Sequence, residues 1–203
     1  LARRYGHPEM GMEVKNLEVP GYDPRGAYGM GLSYATSDRG GCHMRAYSIG
    51  DEVISGRMAA DTMERKPYMI IHGDVETGFL GQNFSSLKYS GIFCDFWAIT
   101  PTQIARLCRH LFGREVSRDE LMTIGERIWN LARLFNLREG VEADTLPRKL
   151  VDEPFTDGPS AGKAITAPVF EEAVREFYRL RGWDERGVPG EEKLRELEID
   201  VRL

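Results

Sequence analysis

The chain has 203 residues, 41% apolar and 29% charged, with a formal net charge of −5; that is enough for one domain or two small ones with an adequate core. The acidic balance argues against a nucleic-acid or anionic-membrane binder, which needs a concentrated basic surface, and no apolar run approaches the ~20 residues that span a bilayer. The first residues lack the apolar segment of a signal peptide, and the scattered Cys42, Cys94 and Cys108 are too few for a disulfide framework, so a reducing cytoplasm is the expected setting.

In chain order, the stretch from Glu13 to Val19 alternates apolar and polar residues, the period of a short strand, and Pro20 stops it. Residues 26–37 read as a helix in spite of three glycines, each costing up to ~1 kcal/mol relative to alanine, so packing must supply what propensity does not. Residues 42–60 carry no decisive period, and 61–66 read as a polar helix. The apolar, aromatic run 84–97 reads as a buried helix that carries Cys94 deep into the structure. Thr100-Pro101 opens a helix, with threonine as N-cap and proline in the first position. Ile104, Leu107, Cys108 and Leu111 form its apolar stripe, and Gly113 ends it.

Ser117-Arg118-Asp119-Glu120 spells a capping box for the longest helix, which runs to about Leu137. Leu121, Ile124, Ile128, Leu131 and Phe135 recur there at three and four, with Trp129 and Leu134 widening the stripe. Residues 138–163 read as a Pro/Gly-rich loop. Thr166-Ala167-Pro168 opens another helix, presenting Phe170, Val174, Phe177 and Tyr178 and ending near Gly182; a short helix from Glu191 to Leu197 closes the chain. Helices with almost no strand predict a mostly α, multihelical fold, as one unit or as two, 1–66 and 67–203.

The stretch 21–45 stands apart. It opens on a rigid polar turn, Tyr22-Asp23-Pro24-Arg25-Gly26, in which Pro24 fixes its own φ and drives Asp23 toward extended geometry. Small residues follow (Ala27, Gly29, Gly31, Ser33, Ala35, Thr36), the composition of a backbone that must lie close to another backbone or to a bulky ligand. It closes on Arg39-Gly40-Gly41-Cys42-His43. Tyr22 and His43 thus flank one short element, and a chain that loops back can aim both at one pocket. Imidazole titrates near neutrality and phenol is a neutral donor, so the pair suits proton movement and hydrogen bonding at a reacting oxygen. The plain alternative is a buried tyrosine and a core histidine with no catalytic task.

This motif resembles a signature of the tungsten-containing aldehyde:ferredoxin oxidoreductases. Further blocks resemble the family in the same order: Ser90-Gly91-Ile92-Phe93-Cys94-Asp95-Phe96, then Asn136-Leu137-Arg138-Glu139-Gly140 with Asp144-Thr145-Leu146-Pro147, and finally Arg181-Gly182-Trp183-Asp184. The resemblance runs from about Lys15 to the C-terminus. It implies the helical C-terminal region of such an enzyme, with an N-terminal cofactor-cradling domain on the same or a separate chain. The whole enzyme would oxidise a small aldehyde to a carboxylic acid at a tungsten or molybdenum bis-pterin (tungstopterin) and pass electrons through a [4Fe-4S] cluster to ferredoxin.

By that resemblance Tyr22 and His43 fall beside the metal, and Cys94 takes the place of the fourth cluster ligand. Three more cysteines belong to the upstream domain, so neither cofactor is expected to be held by this chain alone. Arg25 is a candidate cofactor contact through its guanidinium, with a solvated or salt-bridged arginine as the alternative. For Cys94 the alternative is a buried small hydrophobe. One departure stands out: the family often has Asp five residues before this cysteine, in an Asp-x-x-Gly-Leu-Cys pattern that contacts the pterin, and this chain has Tyr89. That substitution favours a second reading, a non-catalytic helical subunit docked on a partner chain. A third, a Cys/His hydrolase, would need an exposed, low-pKa thiol at Cys42. Cys108 belongs to the stripe of its helix, and His7, His72 and His110 show no partner in the sequence.

Overall fold

The computed structural model describes residues 1–49, 81–97, 99–141 and 144–201. The polar helix expected at 61–66, the boundary expected near residue 66 and His72 lie outside them. Seven α-helices dominate: α1 Tyr28–Thr36, α2 Gly81–Ser90, α3 Pro101–Phe112, α4 Arg118–Arg138, α5 Arg148–Asp152, α6 Ala167–Arg181 and α7 Glu191–Glu196. The fold is therefore mostly α and multihelical, as the sequence predicts. None of these helices is long and apolar enough to cross a membrane.

The single strand expected before Pro20 is instead a minimal hairpin, β1 Glu13–Val14 against β2 Leu17–Glu18. Lys15 and Asn16 take left-handed φ values of 50° and 63°, the geometry of a two-residue turn. Alternating polarity does not distinguish one strand from a hairpin with two-residue arms. The hairpin sits on Gly40-Gly41 because only glycine fits there: a Cβ at Gly40, whose φ is +98°, would stand 2.1 Å from the Val14 carbonyl oxygen.

Helix α1 is buried from Gly29 to Thr36. A Cβ at Gly31 would come within 2.9 Å of Ile165 and 3.3 Å of Leu146, so the small residues are what let the surrounding loops close over it. Its C-terminal end takes a side-chain cap from outside the helix. Lys15 supplies one from the hairpin tip, donating to the carbonyls of Ala35 and Ser37, both at 2.7 Å. A cation there also complements the helix dipole. Around α1 the main core gathers Met30, Leu32, Tyr34, Trp129, Ile165 and Phe177.

Helix α4 is capped by Ser117, which accepts from the Glu120 amide at 3.1 Å, while the Glu120 carboxylate takes Arg114 rather than the N-cap amide. Its buried face keeps Leu121, Trp129 and Leu134 of the expected stripe but is turned away from the rest. Leu121, Met122, Gly125, Trp129, Asn130, Arg133 and Leu134 point inward, whereas Leu131 and Phe135 are 39% and 55% exposed. The reason is α2, which crosses α4 so closely that a Cβ on Gly125 would lie 2.1 Å from the Asn83 carbonyl oxygen. The polar residues on this face are all engaged: Trp183 Nε1 donates to Asn130 Oδ1 at 2.7 Å, and Arg133 Nε donates to the Gly187 carbonyl at 2.8 Å.

Two further expectations are corrected. Helix α2 ends at Ser90, and Cys94 lies exposed in the following turn rather than inside a buried helix. Ile92 adopts a left-handed φ of 59°, and Phe93 N–H returns to the Lys88 carbonyl at 2.8 Å, which stops the helix. On α3 the Thr100 cap and Gly113 terminus are present, yet of the expected stripe only Ile104 is fully buried, Cys108 partly, and Leu111 is exposed. The loop 138–163 contains the short α5, and α6 and α7 match their predicted spans to within a residue.

The Gly125 contact makes a direct prediction. Gly125→Ala will lower the unfolding free energy by about 1–3 kcal/mol or more, the cost of overpacking a rigid contact. Gly21→Ala, which meets nothing within 4 Å, will leave it unchanged. Urea denaturation of the two variants beside the parent checks both.

Candidate active site

The turn before α1 and the turn after it return to the same place. Tyr22 is anchored through its backbone carbonyl, which accepts from the buried Tyr34 hydroxyl at 3.1 Å. His43 begins a 3-10 turn, His43–Arg45, just past the glycine pair that seats the hairpin. The two rings face each other with centroids 5.4 Å apart and planes at 58°. Tyr22 remains 37% exposed, so one side of the pair is open.

Two side chains that the sequence does not single out join them. Tyr47 packs on His43 with ring centroids 6.0 Å apart. Asp95 acts on both His43 and Tyr47 through its charge and is held by Lys88 at 2.7 Å. Tyr47 falls in a stretch without readable period, and Asp95 is visible in the sequence merely as the neighbour of Cys94.

Burial lowers the His43 pKa below the ordinary 6.5; Asp95 opposes that shift and the Arg39 guanidinium adds to it. The imidazole is therefore neutral at pH 7, available to accept a proton. Burial raises the Tyr47 pKa, helped by the neighbouring Tyr22 and by the Asp95 charge, so Tyr47 stays protonated.

The other expected site residues sit differently. Arg25 forks onto the Asp23 carboxylate at 3.0 and 2.7 Å, donates to the Glu153 carbonyl at 3.0 Å and lies 4.2 Å over the Phe155 ring. It braces the turn of the motif rather than joining Tyr22 and His43. Cys94 is exposed and free, one residue from Asp95. Among the described residues no group of three or more His, Cys, Asp or Glu is placed to hold a metal ion.

Tyr89, at the position where the resembling family often has Asp, is packed into a cluster. The Arg45 guanidinium lies 3.8 Å over its ring and pairs with Asp38 at 2.8 Å, while the Tyr89 hydroxyl donates to Ser86 Oγ at 3.1 Å. Cys42 is buried, with its sulfur accepting from Arg39 at 2.8 Å, and so lacks the exposed thiol of a Cys/His hydrolase. A cavity of about 460 Å³ between α5 and α6, lined by Leu146, Val151, Phe170 and Val174 among others, includes neither Tyr22, His43 nor Cys94.

Comparison with known proteins identifies the family of the chain. The family model described as "Aldehyde ferredoxin oxidoreductase, domains 2 & 3" matches residues 1–199. The tungsten-containing aldehyde ferredoxin oxidoreductase of Pyrococcus furiosus is 39% identical over 98% of this chain, and that of Thermococcus kodakarensis is 38% identical over the same share. The aliphatic sulfonate oxidoreductase WOR-like subunit of Pyrococcus furiosus is 31% identical over 60% of the chain, covering 21% of that protein. The chain spans about a third of the length of the aldehyde oxidoreductases it matches, 32% in each case. It belongs to the aldehyde ferredoxin oxidoreductase family of oxidoreductases, within the region that forms their second and third domains.

Proposed function

We propose that this chain supplies one wall of the active site and one cluster ligand of a tungsten–pterin oxidoreductase (molybdenum being the alternative metal) that converts an aldehyde to a carboxylic acid in the cytoplasm. The observation that carries the proposal is the meeting of Tyr22 and a neutral His43 on one open face. Aldehyde plus water yields carboxylic acid, two electrons and two protons. A tungsten–pterin centre, when bound, would supply the two-electron acceptor, and a [4Fe-4S] cluster with Cys94 among its ligands would supply the route to ferredoxin.

The residues of this chain handle oxygen and protons. Tyr22 donates a hydrogen bond to the aldehyde oxygen as water adds to the carbonyl carbon and negative charge builds there. His43 accepts the proton that the water releases. Asp95 stabilises the imidazolium that forms, since an opposite charge nearby favours the protonated ring. Cys94 suits a cluster ligand because its thiol is free and accessible and iron takes thiolate. An N-terminal domain, from the same or another chain, supplies the other three cysteines.

That domain has a surface to cover. Beside Cys94, Ile92, Phe96 and Trp97 are 91%, 79% and 57% exposed, an apolar group of the kind that marks an interface. Tyr89 is the one observation favouring a non-catalytic helical subunit, because a phenol stacked beneath Arg45 offers the pterin no carboxylate. Anaerobic purification from the source separates the two readings. Iron with tungsten or molybdenum in a larger chain or complex is the expected result; a metal-free species would establish the helical subunit.

In the complete enzyme, His43→Gln will lower kcat by about 100-fold or more, the worth of a general base, with metal content unchanged. The parent's kcat/KM will be high at pH 7 and lost as pH falls through a value below 6.5, because protonation removes the base. An acidic limb at or above the ordinary histidine value would count against His43. Cys94→Ser will lower iron content and bleach the cluster spectrum; wild-type iron and spectrum would remove Cys94 from the ligand set.

A further inference from the structure

Helix α2 stops at Ser90, and the chain beyond it turns back on the last residues of the helix. Gly91 N–H returns to the Leu87 carbonyl at 2.9 Å, Ile92 N–H to the Tyr89 carbonyl at 3.2 Å and Phe93 N–H to the Lys88 carbonyl at 2.8 Å. Trp97 N–H then reaches the Cys94 carbonyl at 3.1 Å. Burial does little to hold this turn, because Ile92, Cys94, Phe96 and Trp97 are all exposed. A thiol carried on such a turn needs another restraint to stay in one place.

Lys88 supplies it. Its ammonium meets Asp95 twice, the carboxylate at 2.7 Å and the backbone carbonyl at 3.2 Å, with the Phe84 ring centroid 6.0 Å away. Its own carbonyl is the acceptor for Phe93, which packs on the second core of Phe84, Leu87, Ile104 and Met122. Phe93 and Asp95 are the two neighbours of Cys94. One residue therefore grips both flanks of the cysteine, by its main chain on one side and by its ammonium on the other. A solvent-exposed ion pair would not offset the ~1.5–2 kcal/mol of rotamer entropy that a held lysine loses. Here the pair is shielded, its side chains 11% and 19% exposed, and the carbonyl bond adds to it.

We infer that Lys88 is the positioning residue of Cys94: it holds the exposed thiol in one place, and the Lys88–Asp95 pair sets the charge beside the cluster that this thiol would bind. The inference rests on the proposed role of Cys94 as a cluster ligand, which its free, accessible thiol fits. Groups that support a ligand from behind orient it and tune its metal. Lys88 is no ligand itself, since an ammonium has no lone pair to give.

The test compares the complete, metal-loaded enzyme with its Lys88→Met, Asp95→Asn and Cys94→Ser variants. Two quantities are read under argon: the rate of iron release to the ferrous chelator bathophenanthroline, and the cluster midpoint potential, from a dithionite titration followed by electron paramagnetic resonance. Lys88→Met and Asp95→Asn each break the pair, so both are expected to release iron about tenfold faster than the parent, the lower end of what a lost supporting contact costs in affinity. Their potentials should move in opposite directions, down when the cation is lost and up when the carboxylate is lost, because charge beside a cluster sets its potential. A general loosening of the fold would not separate the two variants in this way.

Iron release at the parental rate from Lys88→Met overturns the inference, as do potentials that stay unchanged or move together. Cys94→Ser reads the ligand role separately. Should that variant keep its iron and its spectrum, the ligand role falls, and a crystal structure of Lys88→Met decides the positioning alone: a Cys94 sulfur unmoved in a single conformer overturns the inference, and a displaced or multiple one sustains it. Should Lys88→Met fail to accumulate, Lys88→Gln, which keeps a polar side chain and drops the charge, carries the same readings.

Discussion

One buried carboxylate ties the molecule together. Asp144 accepts from Lys15 of the hairpin at 2.7 Å, from Arg133 of α4 at 3.2 Å and from the Tyr178 hydroxyl of α6 at 2.8 Å. Lys15 reaches on to the last carbonyls of α1. The hairpin, α4, α6 and the loop before α5 therefore meet at a single side chain, and α1 joins them through Lys15. Burial pulls the Lys15 pKa down while Asp144 pushes it up, and the α1 carbonyls share the excess positive charge. Such a knot adds less net stability than its short distances suggest, because desolvation offsets much of the Coulomb attraction. Its effect is on specificity: a packing that left any member unpaired would bury an uncompensated charge.

The second buried cation works differently. Arg181 is sealed between Trp129 and Phe177 and paired with amide oxygens, Asn83 Oδ1 at 2.5 Å and Gln82 Oε1 at 2.9 Å, rather than with a carboxylate. Burial brings its pKa down to about 10. Gln82 continues to Thr36 of α1 at 2.8 Å, so α6 holds α2 and α1 in one chain of hydrogen bonds. The beginning of α2 is thereby fixed to the same helix that Tyr22 and His43 flank, and the end of α2 leads to Asp95 and Cys94. The rigid frame and the Tyr22–His43 face share these few residues.

Where local chemistry dominates, the sequence reveals the structure. Thr100-Pro101, Ser117 and the glycines after α3 and α6 are caps that act within four residues, and they mark real helix ends. The small-residue run 27–36 likewise announces close approach. What stays hidden depends on partners distant in the chain. The inward face of α4 contains Gly125, Asn130 and Arg133 because α2, Trp183 and Asp144 meet it there, and no periodicity of apolar residues records that. The turn at Cys94 looks like core because Phe93, Phe96 and Trp97 are apolar; the last two are largely exposed. Tyr22 and His43 could be singled out from their motif, whereas Tyr47 depends on a positive φ and Asp95 on a fold-back, neither of which a sequence displays.

The burial of α1 on every side has a consequence for how the Tyr22–His43 face evolves and breathes. A helix with no solvent-facing surface cannot open by local fraying, so its amides should exchange with solvent only through the largest unfolding events. The turns that carry Tyr22 and His43 are tied to that slow-exchanging unit, through Tyr34 on one side and the Gly40-Gly41 seat on the other. Their spacing cannot drift without loosening the core itself. Variation at this face is then left to side chains at its rim, while the spacing of the two turns stays constant.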